Sequence, residues 1–227
     1  MHIKKVILRT RNIESMKQFY TKTLGMTLNE ESENRFQVLA GASLLEFTSH
    51  NVKGNPYYHF ALDIPSNKFS EAKAWAKSKV KLNLEDGEDE ADFSHLSAHS
   101  IYFYDPAGNI VEFICRHSYA EKSEVPFSAN SILNISEMSL TVGNAVTTGH
   151  QLMELGLNER DGDPISGSSL NFMGENSNGP FLLLIQPGRR WIFSDKQSEI
   201  HPIEMTLDTN ERLIVNDHHE FLIAKSR

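Results

Sequence analysis

The chain has 227 residues, 39% hydrophobic and 23% charged, enough for one large domain or two small ones. Its formal net charge of −8 at pH 7, with no compensating Lys/Arg-rich run, argues against a nucleic-acid partner. Cys115 is the only cysteine, so an internal disulfide and a thiolate zinc cluster are excluded.

A reducing, cytoplasmic setting is expected, because the start has no apolar segment of signal-peptide length. The longest fully apolar run, "FLLLI", is too short to span a bilayer, so no membrane partner is expected.

The first element is a strand around Val6 and Leu8. Asn12 follows as a plausible N-cap, and Ile13, Met16, Phe19, Tyr20 and Leu24 keep helical spacing up to Gly25. "RFQVLA" and "SLLEFTS", separated by a turn at Gly41, predict a hairpin. The order then recurs. "HFALDIPSNKFSEAKAWAKS" predicts a strand and a helix beginning near Asn67, with Phe69, Ala72, Trp75, Ala76 and Val80 on one stripe. "HSIYFYDPAGNIVEFICR" predicts two strands about a turn that Asp105-Pro106 begins and Gly108-Asn109 completes.

A third copy starts at "SEMSLTVGNAVTTGHQLMELGL", with Asn144 as N-cap, and continues through "SSLNFMG" and "PFLLLIQP". A fourth, "HPIEMTLD" and "RLIVNDHHEFLI", has strands but no room for a helix. The units span 1–50, 57–116, 134–186 and, truncated, 200–227, joined by polar linkers at about 49–56, 117–133 and 187–199.

The unit, with "NIESMKQFYTKTLGM" near the start and "IYFYDPAGNIVEF" closing the second copy, resembles the vicinal-oxygen-chelate superfamily. That group includes glyoxalase I, type I extradiol dioxygenases and bleomycin- and fosfomycin-resistance proteins. The four-unit layout is most similar to bacterial catechol-type extradiol dioxygenases. The resemblance implies an α+β fold of tandem βαβββ modules whose curved mixed sheets surround a cavity. It also implies a divalent metal, held from the start of a unit's first strand and the middle of its last.

Mapped onto this chain, the first-strand positions are Lys5, His59, Glu137 and, loosely, His201. The last-strand positions are Glu46, Glu112 and Leu184, with Glu220 in the truncated unit.

Alternation supports two of these independently. His59, Ala61 and Asp63 share one face of their strand, opposite Phe60, Leu62 and Ile64. Ile110, Glu112 and Ile114 share a face, opposite Val111, Phe113 and Cys115; a carboxylate in so apolar a strand is costly unless paired or metal-bound. If the second and third units pair, as in the catechol-type layout, Glu137 completes the set. If the first pairs with the second, the candidate is Glu46, and Lys5 brings a competing positive charge. The expected ligands are therefore His59, Glu112 and Glu137. The expected ion is Fe(II) or Mn(II), with Zn(II) as the next choice.

His95, a few residues before the Asp-Pro turn, is expected as a substrate contact or proton carrier; a loop role is the alternative. His201 and the "DHH" of 217–219 read as structural or surface residues. No histidine occurs in "PFLLLIQPG", where the dioxygenase pattern carries one, so ring cleavage lacks that acid–base partner.

The expected activity is that of a metal-dependent enzyme on a small molecule with vicinal oxygens, dioxygenase-like or glyoxalase-like. Metal-free sequestration of a small molecule and a degenerate, non-catalytic paralogue are the alternatives. The short fourth unit suggests a homodimer whose second copy covers the incomplete side.

Overall fold

The computed structural model describes residues 1–175 and 179–225. The first strands are β1 (Ile3–Arg9), β2 (Leu28–Ser32), β3 (Arg35–Ala40) and β4 (Ser43–Thr48). Next come β5 (His59–Ile64), β6 (Ala91–Phe93), β7 (Ala98–Tyr104) and β8 (Ile110–Arg116). Then follow β9 (Asn134–Thr141), β10 (Asn158–Glu159), β11 (Asn171–Gly174) and β12 (Phe181–Ile185). The last are β13 (Ile203–Leu207), β14 (Glu211–Val215) and β15 (Phe221–Lys225). The α-helices are α1 (Ile13–Gln18), α2 (Phe69–Lys77) and α3 (Ala145–Met153).

Among the described residues the strands form two mixed sheets. The first runs β15-β14-β13-β1-β4-β3-β2 and the second β10-β11-β12-β9-β5-β8-β7-β6. The fold is α+β, as the sequence predicts. The outer strands of the chain pair with each other, and the two middle copies share the second sheet through β5 and β9. Between β13 and β15 the fourth copy has no helix.

Parity carries through. Phe60, Leu62 and Ile64 are fully buried in the main core with Val111, Phe113 and Cys115. That core also takes Val6, Leu8, Leu45 and Phe47 from the first sheet. Both middle strands therefore turn one face to the core and the other into a cavity.

Helix starts differ in part. Asn144 caps α3, its side chain accepting from the Thr147 amide at 3.0 Å. Asn12 precedes α1, but its side chain makes no capping bond; α2 begins at Phe69, near Asn67 as expected, and the Asn67 side chain exchanges two hydrogen bonds with the backbone of Ser123. A tether across the 117–133 connection thus takes over the asparagine. α1 widens into a π-turn over Phe19–Thr23 before Gly25, at φ +76°, ends it.

The 187–199 segment is not a linker. Gly188 donates to Ser198 O, Ser198 to Arg189 O and Trp191 to Lys196 O, which folds the segment back on itself. Its Phe193 stacks on Tyr102 at 4.7 Å and its Trp191 packs on His59 at 4.9 Å. This clasp closes one side of the second sheet's cavity. Burying Trp191 and Phe193 drives it into place, and the ion pair between Arg190 and Glu85 ties down its edge.

The β3–β4 turn joins the two sheets. Gly41 has φ +60°, and a Cβ there would stand 2.1 Å from Leu133 O. The next amide, Ala42 N, donates to the same oxygen at 2.8 Å. We expect Gly41→Ala to destabilise the protein by roughly 2 kcal/mol or more, through both positive φ and the backbone clash. Chemical denaturation of the two proteins measures this, and a change under 0.5 kcal/mol would contradict the role of this turn.

Candidate metal centre and cavity

Strand register builds the site around Ala61. In the parallel pair β5–β8, Ala61 stands opposite Glu112; in the antiparallel pair β5–β9, it stands opposite Glu137. Two carboxylates from the flanking strands therefore face each other across the smallest chiral side chain. His59 lies two residues along on the same face.

One ligand atom from each of His59, Glu112 and Glu137 lies within 4.8 Å of the others, and all three residues are buried. The middle copies thus bring together the three residues that the resemblance implies. Glu46 lies in the other sheet, in an ion pair with Lys5 at 2.8 Å.

The Asp105–Asn109 turn sets the histidine. Asp105 accepts from the amides of Ala107 and Asn109, each at 3.0 Å, and from the Tyr20 hydroxyl at 2.7 Å. Asn109 Oδ1 then accepts from Tyr58 N at 2.8 Å, and Ile110 N donates to Tyr58 O. The next residue, His59, donates from Nδ1 to Ile110 O at 3.1 Å. A carbonyl only accepts, so Nδ1 carries the hydrogen and Nε2 is left bare when the ring is neutral. Burial, with a smaller push from the Arg189 guanidinium, holds His59 down to about 4, so the ring is neutral near pH 7.

Nε2 faces Glu112 Oε2 at 3.4 Å. A bare imidazole nitrogen against a carboxylate oxygen needs a proton or a cation near both. Burial, and next the charge of Glu137, push Glu112 up to about 8, so without a metal the carboxyl keeps a proton. Glu137 is also raised by burial, against the pull of Arg116.

Arg116 Nη2 donates to Glu137 Oε1 at 2.5 Å, while Nη1 donates to Asp63 Oδ1 and Ser136 Oγ, each at 3.0 Å. This guanidinium orients Glu137. A neutral imidazole and two buried carboxylates, one of them short of a positive partner, make a donor set that suits a hard divalent ion.

A cavity of about 590 Å³ opens over this group. Its walls include Tyr102, Phe172, Phe181 and Trp191, with Arg160 and Arg189. On the last strand of the third copy, Leu183 and not Leu184 reaches the cavity: Leu183 pairs with Ser139, two residues beyond Glu137, and Leu184 sits in the main core. A leucine therefore occupies the place of a fourth ligand.

His95 lies exposed on the cavity rim, in a short turn over Ser94–Leu96. His201 is half-buried against Tyr57 and Tyr58, outside this cavity. Residues 217–219 form a turn whose Asp217 pairs with Arg9. Sequence reasoning missed Arg116, Arg189 and Trp191. The one signal for the last two was the bulky "RRWIF" inside a stretch read as polar.

The family model described as Glyoxalase/Bleomycin resistance protein/Dioxygenase superfamily matches residues 2–113. A model described as toxoflavin-degrading enzyme matches residues 135–189. No curated protein matches the chain significantly.

Among solved structures, a candidate dioxygenase from Bacillus subtilis is 13% identical with a TM-score of 0.51, over 79% of this chain and 62% of that one. This likeness bears on the fold alone. Lactoylglutathione lyase from Agrobacterium tumefaciens is 17% identical, over 52% of this chain and 95% of that one, with a TM-score of 0.43. A glyoxalase/bleomycin resistance protein/dioxygenase from Alicyclobacillus acidocaldarius is 17% identical, over 52% and 96%, with a TM-score of 0.38. Residues 2–113 thus carry the glyoxalase/bleomycin resistance protein/dioxygenase, or vicinal-oxygen-chelate, superfamily module, and the paired sheets are consistent with tandem modules of that type.

Proposed function

We propose that this protein is a divalent-metal-dependent enzyme acting on a small molecule with adjacent oxygens, bound in the second sheet's cavity. The observation that carries this reading is the buried convergence of His59, Glu112 and Glu137. Fe(II) or Mn(II) is the ion that one imidazole and two carboxylates favour, with Zn(II) next. When bound, such an ion supplies positive charge that orients and polarises the substrate's oxygens.

The chain's own residues do the rest. His59 stays neutral and fixed by its bond to Ile110 O. Arg116 holds Glu137 in register. The clasp and the aromatic walls exclude water and present flat surfaces to a ring. His95, on the rim, is our candidate for contacting the substrate or carrying a proton. Between the two chemistries, the aromatic lining and the resemblance of residues 135–189 to toxoflavin-degrading enzymes favour degradation of a ring over glyoxalase-type isomerisation.

Calorimetric titration with Mn(II) tests the metal. We expect about one ion per chain, and a loss of at least roughly tenfold in affinity for Glu112→Ala with the fold retained by circular dichroism. Equal affinity in the variant would contradict the assignment. Metal loading should then be required for consumption of a catechol probe; metal-independent binding without turnover would favour a sequestering protein.

Acid–base linkage gives a second check. Glu112 titrates at about 8 in the fold against 4.5 ordinarily, so between these values the native chain holds a proton that the unfolded chain has lost. Stability therefore falls as pH rises through that window. His59, pushed down to about 4, acts in the opposite direction only below its ordinary 6.5. In chelator, between pH 6.5 and 8, we expect the wild type to lose on the order of 2 kcal/mol relative to Glu112→Gln. Parallel stability curves for the two proteins would contradict a proton held on Glu112.

A further inference from the structure

Two arginines, Arg160 and Arg189, line the cavity over the candidate metal centre. Arg160 lies over the Phe172 ring at 4.3 Å and pairs with Asp161, which is 56% exposed and outside the cavity lining. Arg189 comes from the clasp and lies over Trp191 at 5.6 Å, and Trp191 in turn packs on His59. Among the described residues no carboxylate lies within ion-pairing distance of Arg189. Among those residues its side chain makes one hydrogen bond, from Nη1 to Arg190 O at 3.3 Å.

With a divalent ion in place, Glu112 and Glu137 offset the ion, Asp63 offsets Arg116 and Asp161 offsets Arg160. Arg189, half-buried at the cavity wall, is left uncompensated. A cavity of net positive charge in a chain of net −8 is a local arrangement that general composition does not explain.

We propose that Arg189 is an anion-binding, specificity-determining residue, and that the cavity takes a planar aromatic anion whose acidic group meets this guanidinium while the ring lies against the cavity's aromatic side chains. This rests on the reading of the cavity as the substrate site and adds the charge of the substrate. Guanidinium recognises a carboxylate or an acidic ring oxygen by a charge-assisted hydrogen bond, and the bond strengthens as water is excluded. Trp191 beneath Arg189 holds the guanidinium over the cavity and leaves its other donors free. The volume of about 590 Å³ admits a one- or two-ring molecule.

The test uses 2-naphthoate and its neutral isostere 2-naphthamide, titrated calorimetrically into the full chain, both Zn(II)-loaded and in chelator. We expect naphthoate to bind the wild type about tenfold or more tightly than naphthamide, with the larger preference in the loaded protein. In Arg189→Gln the two probes should bind within about twofold of each other, with naphthamide affinity retained. Equal binding of both probes to the wild type, survival of the preference in Arg189→Gln, or no binding of either at millimolar concentration would overturn the proposal.

A parallel Mn(II) titration separates the two claims. A wild type that binds naphthoate through Arg189 in chelator, yet takes up no metal, overturns the metal reading and leaves the anion site standing. Normal metal uptake without anion preference does the reverse.

Discussion

Two carboxylates placed on either side of Ala61 are the constraint from which the rest of the site follows. Strand register alone puts Glu112 and Glu137 opposite the same small residue, on adjacent strands, inside the protein. Like charges held this close in a buried setting cannot both stand ionised without help. The surroundings supply it piecemeal. Arg116 neutralises one carboxylate, a proton or a cation must neutralise the other, and His59 turns its bare nitrogen to the place where that cation would sit.

The first sheet shows the same architecture with the problem solved by ion pairs from the protein itself. There Ile7 stands opposite Glu46 on β4 and Glu204 on β13, so it occupies the place of Ala61, with Lys5 in the place of His59. Lys5 Nζ reaches Glu46 at 2.8 Å, and Arg212 Nη2 reaches Glu204 at 2.7 Å. Each carboxylate has its own tethered cation, and nothing remains for an ion to do. The contrast isolates what makes the second sheet different: an imidazole where the first has an ammonium, and one carboxyl left over. A single substitution class, histidine against lysine at the first-strand position, thus divides a self-satisfied sheet from a candidate metal centre.

The sheet faces were legible because strand parity is a strict period of two; the three converging residues came from the family resemblance, with parity supporting His59 and Glu112. His59 and Glu112 each interrupt an otherwise apolar alternation, and a one-residue slip would have turned them into the core. Register becomes unreadable where a strand is apolar on both faces, and there the assignment slipped by one, from Leu183 to Leu184: "FLLLI" has no polar residue to mark its cavity side. Asn67 spends its side chain on Ser123, a partner 56 residues away that local sequence cannot reveal. The clasp was hidden for a related reason. It is held by turns and by contacts to Glu85, Tyr102 and Tyr104, so it has no period to detect. Arg189 and Trp191 therefore depend on tertiary placement, whereas Arg116 shares the β8 face of Glu112.

Nitrogen coupling in the pulsed electron paramagnetic resonance spectrum of the Mn(II)-loaded protein tests the centre most directly, because it reports which atoms touch the ion. One imidazole nitrogen is expected to couple to Mn(II), and His59→Ala should abolish that coupling without unfolding the chain. A loaded protein with no imidazole coupling, or one whose coupling survives His59→Ala, would show that the ion binds elsewhere and that the convergence around Ala61 is not a metal centre.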